Sequence, residues 1–198
     1  MEMNNISTTS IIEGLKERII HAAISPSVGV ILPGSNYNDF IQAIGEYIKS
    51  RPADACLYVT VTNPFERVIK NIGHLLTNSN IKFIDCVSRA AGIETIDNRC
   101  VFIESPTHLE GILLEIINNI KQWNKSIQKY VIIDSLSSFV LYNDPILVAE
   151  FYTYLCSHLD ISNTHIISLC IEEEMDDTLN KIIYLKSDRI LKVRESFI

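Results

Sequence analysis

Two hydrophobic periods alternate along this chain. Short runs that are apolar at successive positions and rich in Val and Ile occupy residues 28–32, 57–62, 82–87, 99–103, 130–134 and 164–169. Such runs suit strands buried from both sides. Between them lie longer segments whose apolar residues recur every three or four positions. In residues 108–123 that stripe is Leu109, Ile112, Leu113, Ile116, Ile117, Ile120 and Trp123, the spacing of one helix face. Lys121 and Lys125 close the segment, where positive charge complements the negative end of a helix dipole. Asp144 followed by Pro145 reads as an N-cap and first-turn pair, opening a helix through Val148, Phe151, Tyr152, Leu155 and Leu159. Asn63-Pro64-Phe65-Glu66 predicts a capped start for a helix over 68–76, with Glu66 reaching back as in a capping box. Residues 37–49 form a further helix, and residues 9–23 an amphipathic one within an N-terminal extension spanning 1–25.

Strands of this kind alternating with amphipathic helices specify an α/β fold with a mostly parallel, helix-covered sheet. The last two short runs, 181–186 and 189–193, are joined by Ser187-Asp188 and read as a C-terminal antiparallel hairpin. No repeat, low-complexity tract or Pro/Gly/Ser-rich linker divides the chain, and 198 residues suit a single domain over 1–198.

Composition narrows the function classes. A hydrophobic content of 47% supports a sizeable core and excludes a disordered chain. Seventeen basic against twenty-four acidic residues leave a net charge of −7, which argues against nonspecific nucleic-acid binding. Cys56, Cys86, Cys100, Cys156 and Cys170 form no C-x-x-C pair and sit mostly in apolar runs, as reduced buried thiols do. No apolar run approaches the roughly 18–20 residues of a membrane span. The start Met1-Glu2-Met3-Asn4-Asn5 has no signal-peptide form. The expectation is a cytoplasmic protein with no membrane partner.

The candidate chemistry gathers where strands hand over to helices. A phosphate-binding loop after the first strand has the form G-x-x-x-x-G-K-[ST], in which backbone N–H groups and a Lys hold phosphates and a hydroxyl holds Mg²⁺. Here that turn is Leu32-Pro33-Gly34-Ser35-Asn36-Tyr37-Asn38-Asp39-Phe40, with one glycine and no lysine before Lys49. Gly34, Ser35 and Asn36 read either as a small anion nest at a helix N-terminus or as an ordinary turn capped by Asn36 or Asn38. Asp39 in the first helical turn opposes a phosphate. Asp134 ends the run Tyr130-Val131-Ile132-Ile133. It either holds Mg²⁺ or water in the crevice at the strand ends, or caps the next turn through Ser135 or Ser137. Asn63 reads as an N-cap, and Arg67 and Lys70 as charges on the following helix, solvated or facing a partner. Glu172-Glu173-Glu174 with Asp176 and Asp177 reads as a solvated acidic loop, or as a docking surface for a basic partner. The five histidines show no metal-ligand spacing, and no G-x-S-x-G motif is present.

The hydrophobic strand ending in Asp134, with its continuation Ser135-Leu136-Ser137-Ser138-Phe139, has the form of a Walker B strand. It resembles the RecA-superfamily ATPase domains of the KaiC-like group, above all their small single-domain archaeal relatives. Leu57 to Arg67 resembles that group's second strand and following helix, Lys82 to Ser88 its next strand, and Ser187-Asp188-Arg189-Ile190-Leu191 its late "ADGII" turn. The resemblance runs from the first strand to Val193 and implies a RecA-like fold. Three departures change what it implies about function. The P-loop Lys and its Ser/Thr neighbour are missing from a loop about one residue short. Thr62-Asn63 stand where active relatives carry a Glu-Glu pair that activates water. The chain also ends soon after the "ADGII"-like strand.

Losing a positioned general base costs about 10²–10⁴-fold in rate. Losing the lysine removes charge-assisted hydrogen bonds of about 1.5–3 kcal/mol each. Phosphoryl transfer depends on little else. The expectation is a catalytically inactive, KaiC-like protein that serves as a regulatory or signalling protein-binding module, with no ATP or Mg²⁺ cofactor and no metal. Gly34, Ser35, Asn36 and Asp134 are then the remains of a nucleotide site. The alternatives are a structural subunit of a ring or heteromeric assembly, favoured if residues 9–23 expose an apolar patch, and an ATP-binding protein whose ATPase activity is weak or depends on a partner's positive charge.

Overall fold

The computed structural model describes residues 3–76 and 80–193, with side chains from Ile12 onward. The start of the expected N-terminal extension therefore lies outside the described side chains. The strands are β1 (Ser27–Leu32), β2 (Ala55–Thr60), β3 (Ile81–Asp85), β4 (Cys100–Phe102), β5 (Lys129–Asp134), β6 (Thr164–Ile171) and β7 (Arg189–Lys192). They form one sheet in the order β4-β3-β2-β5-β6-β1-β7, and every pairing is parallel. The helices are α1 (Met3–Ala22), α2 (Tyr37–Lys49), α3 (Phe65–Ile72), α4 (Leu109–Gln122), α5 (Pro145–Ile161) and α6 (Asp177–Lys186).

Two cores sandwich the sheet, which is why the strand runs are apolar at successive positions. Along β2, Tyr58 packs with Phe40, Ile44 and Phe65 of α2 and α3, while Leu57 and Val59 pack with Ile112, Ile116 and Phe151 of α4 and α5. Along β5 the same alternation sends Tyr130 and Ile132 to the first core and Val131 and Ile133 to the second. From Ile12 on, the apolar face of α1 is spent inward. Leu15, Ile19 and Ala22 are buried in the first core, and α1 packs on α2. No apolar patch of the expected kind is left there among the described side chains.

Helix starts agree with the sequence in part. Asp144 caps α5, its side chain accepting from Ile146 N–H at 2.8 Å, with Pro145 at the first position. The capping box expected at Glu66 is absent. The Phe65 N–H is taken instead by Asp85 Oδ2 at 2.7 Å, reaching across from the end of β3, and Glu66 accepts from the Thr95 hydroxyl at 2.6 Å. A tertiary carboxylate has displaced the local cap.

The C-terminal antiparallel hairpin is also corrected. Residues 181–186 are the second half of α6, not a strand. Asp176 caps that helix by accepting from Leu179 N–H at 2.8 Å, and Leu179 and Ile183, four apart, are its buried face. The apolar residues 182–185, read over six positions, are indistinguishable from a short strand; the Asp176 cap and Leu179, both upstream of that window, decide for a helix. With a helix between β6 and β7, the last strand enters parallel beside β1.

Candidate functional site

The carboxyl ends of β1, β2, β5 and β6 converge, as the strand order requires, and the sequence-predicted residues lie there. Asp134, at the end of β5, is fully buried. Its Oδ2 accepts from two phenols, Tyr58 at 2.6 Å and Tyr37 at 2.8 Å. The Tyr37 oxygen in turn accepts from Asn63 Nδ2 at 2.7 Å. Asp134 Oδ1 makes no hydrogen bond among the described residues. Burial pushes the Asp134 acid up to about 6, against the pull of the Tyr58, Tyr37 and Thr62 hydroxyls, and the Glu174 charge adds to the rise. Burial and then the Asp134 charge push both tyrosines well above the ordinary phenol range, so they act as donors.

Asp134 does not cap the next turn. That task falls to Ser135, whose Oγ accepts from Ser138 N–H at 3.1 Å. Nor is Asn63 a helix cap, because Pro64 holds that position and the Asn63 amide is committed to Tyr37. Tyr37 and Tyr58 meet Asp134 from two separate segments, and Asn63 joins them through the Tyr37 hydroxyl. No local spacing in the sequence announces that meeting.

The turn after β1 is a short 3-10 segment, Gly34–Asn36, leading into α2. The Gly34 N–H faces the carboxylate of Glu173, 2.9 Å from Oε2 and 3.1 Å from Oε1. Asn36 occupies the N-cap position of α2 but its side chain makes no cap bond, and its buried Oδ1 has no partner among the described residues. The cap expected from Asn36 or Asn38 is therefore not formed. Ser35 is exposed. A Cβ on Gly34 would meet its nearest atoms, on Glu173 and Ile171, at 3.7 Å, so neither crowding nor backbone angle demands glycine there.

The acidic turn Glu172–Glu174, which follows β6, is not a merely solvated loop. Glu172 pairs with Lys192 at 3.1 Å, and Glu173 occupies Gly34. Glu174 Oε2 accepts from the Ser137 and Ser138 hydroxyls at 2.8 and 2.9 Å. Ser138 also lies 2.7 Å from Ser135 Oγ and 3.1 Å from Thr62 Oγ1. The site is thus a polar knot of carboxylates, hydroxyls and backbone N–H groups, buried at Asp134, Ser135, Ser137 and Ser138 and exposed at Gly34 and Glu173. Its local charge is negative.

These residues suit a nucleoside triphosphate and its magnesium poorly. The N–H that would meet a phosphate already meets a carboxylate, and the carboxylate that would hold a metal accepts two phenols. Among the described residues no group of three His, Cys, Asp or Glu is arranged to hold a metal ion. Arg67 and Lys70 are exposed on α3. Burial pushes the Cys56 and Cys170 thiols up to about 12 and Cys156 to about 11, far from the thiolate that acts as a nucleophile. No described helix is long and apolar enough to cross a membrane.

The fold is RecA-like, and solved structures share it. An uncharacterized protein of Pyrococcus horikoshii, PH0321, crystallised in complex with an unknown peptide, matches with a TM-score of 0.67 at 12% identity, over 87% of this chain and 78% of its own. The KaiC-like protein PH0186 of Pyrococcus horikoshii OT3 matches with a TM-score of 0.55 at 14% identity, over 87% and 74%. The flagellar accessory protein FlaH of Methanocaldococcus jannaschii gives 0.53 at 12% identity, over 87% and 73%. No protein-family model and no curated protein matches the chain.

Proposed function

We propose that this chain is a RecA-fold protein that works by binding another protein rather than by turning over a nucleotide, in a regulatory or signalling role. The carrying observation is the Glu173 carboxylate on the Gly34 N–H, at 2.9 and 3.1 Å. That contact puts negative charge where a phosphate would need a donor. Phosphoryl transfer runs on positioned donors and cations, and the lysine that would supply the cation is absent from residues 33–40. The fold neighbour PH0321, crystallised with an unknown peptide, supports a protein-binding use of the same core.

An ATP-binding protein with weak or partner-dependent ATPase activity is the competing reading, favoured by the free Oδ1 of Asp134 at the strand ends. Thermal unfolding with and without millimolar ATP and Mg²⁺, on the native chain and on Asp134→Ala, separates the two. Ligand at about a hundred times its dissociation constant adds roughly 2.7 kcal/mol, which is on the order of 5–10 °C for a domain of this size. The expected shift is none. A shift of that size, lost in Asp134→Ala, overturns the proposal and restores a nucleotide site.

A further inference from the structure

On the face of the sheet covered by α4, α5 and α6, the first turns of α4 and α5 leave an open cavity of about 500 Å³ between them. Its floor is buried Phe151, and its walls carry Leu109, Leu113, Leu147 and Tyr154. Leu147 is 51% and Tyr154 59% exposed. Nearby in sequence, Leu114, Leu141, Tyr142 and Ile146 are also 47–64% exposed. Exposed apolar residues grouped around a concave wall mark an interaction site more often than isolated ones do.

The charges on this surface select the occupant. Glu110 on α4 and Glu150 on α5 line the cavity from opposite walls, and no lysine or arginine lines it. Neither glutamate forms an ion pair among the described residues. The chain as a whole carries −7, which opposes a second copy at an acidic groove.

We infer that the α4–α5 groove docks a partner polypeptide segment whose apolar side chains fill the Leu109–Leu113–Leu147–Tyr154 walls and whose Lys or Arg residues meet Glu110 and Glu150. This deepens the proposed protein-binding function and rests on it, naming the surface and the chemistry of the partner. Apolar side chains supply the affinity, and the paired glutamates fix register and exclude acidic competitors.

The test uses the full chain and two designed 14-residue amphipathic peptides, about four helical turns, with one Leu/Phe face. One peptide bears Lys at the positions flanking that face and the other Glu. Binding is followed by fluorescence anisotropy, and sedimentation gives the oligomeric state. The Lys peptide is expected to bind at least about tenfold more tightly than the Glu peptide, the scale of a few exposed charge pairs. Leu147→Asp, at an exposed position that folding does not require, is expected to abolish binding. The double variant Glu110→Lys with Glu150→Lys is expected to invert the preference. Equal or absent binding of both peptides overturns the groove assignment, as does binding indifferent to these variants. A concentration-dependent dimer dispersed by Leu147→Asp overturns it too, by assigning the face to a second copy. An ATP-dependent melting shift in the same preparation defeats the proposed function whatever the peptides do, so the two failures remain distinct.

Discussion

Tyr37 donates its hydroxyl proton to Asp134 Oδ2 at 2.8 Å, tying the first residue of α2 to the last residue of β5. In a phosphate-binding loop this is where a small hydroxyl on the helix and a carboxylate on the strand share Mg²⁺. Here the phenol reaches the carboxylate directly and accepts from Asn63 on its other side. The bond therefore holds three segments together at the candidate site.

Tyr37→Phe deletes the donor to Asp134 and the acceptor for Asn63 in one step. Buried polar groups left without partners cost about 1–3 kcal/mol, and the loss is expected in that range by urea unfolding. A change below about 0.5 kcal/mol, the ordinary effect of a surface substitution, would mean that the bond contributes little in solution.

Asp134 gives the fold a pH dependence of definite sign. Its acid lies at about 6 in the folded chain against an ordinary 3.8, so the folded state binds that proton more tightly than the unfolded state does. Its stabilising contribution is complete below about pH 4 and is lost as pH rises through 6. The difference corresponds to about 3 kcal/mol at 1.36 kcal/mol per pH unit. Asp134→Asn removes it. Between pH 4 and pH 7 the native chain is expected to lose stability relative to Asp134→Asn by up to that amount. Parallel pH profiles of the two proteins would refute the assignment.

Asp85 is a structural carboxylate. Fully buried at the end of β3, it accepts from the N–H groups of Phe65, Val87 and Ser88 at 2.7–2.8 Å, and from the Ser88 hydroxyl at 2.5 Å. Asp85→Ala leaves these donors unpaired at about 1–3 kcal/mol each before relaxation. A loss of at least about 3 kcal/mol is expected in denaturant unfolding. Asp85→Asn is expected to be milder, because one amide oxygen still accepts.

Gly29 tests the packing of α6, the helix that stands in place of the expected hairpin. A Cβ at Gly29, in the middle of β1, meets Ile183 Cγ1, Ile190 Cδ1 and Ser187 Oγ, all at 2.9 Å. Overpacking of this kind costs about 1–3 kcal/mol. Gly29→Ala is expected to lower the unfolding midpoint accordingly. A neutral result would place α6 farther from β1 than 2.9 Å contacts allow.

The candidate site was legible only in outline. Asp134 and Gly34 stand out because strand ends and a glycine-bearing βα turn are local features. What fills them does not. Glu173 follows Gly34 by 139 residues and Tyr58 precedes Asp134 by 76, so neither contact leaves a periodicity to find. The acidic run at residues 172–174 was visible as charge, but its direction was not. One carboxylate turns to Lys192, one to Gly34 and one to the Ser137–Ser138 hydroxyls. The cap of α3 shows the same limit, since Asn63 with Glu66 was the local candidate and the Phe65 N–H went to Asp85, twenty residues on.

By itself, the sequence determined the α/β class, the places of most strands and helices, and the parallel sheet. Those follow from hydrophobic period and from the short-range chemistry of caps such as Asp144-Pro145, which act within one turn of chain. It also determined that residues 33–40 contain no lysine. That residues 181–186 are helical took both levels, because a six-residue apolar run satisfies both periods until the local Asp176 cap and the burial of Leu179 and Ile183 are in place. Tertiary structure alone decided that the turn after β1 meets a carboxylate and that Asp134 meets two phenols. Hydrogen bonds between segments brought together by folding depend on where the sheet puts strand ends, and one-dimensional spacing does not encode that placement.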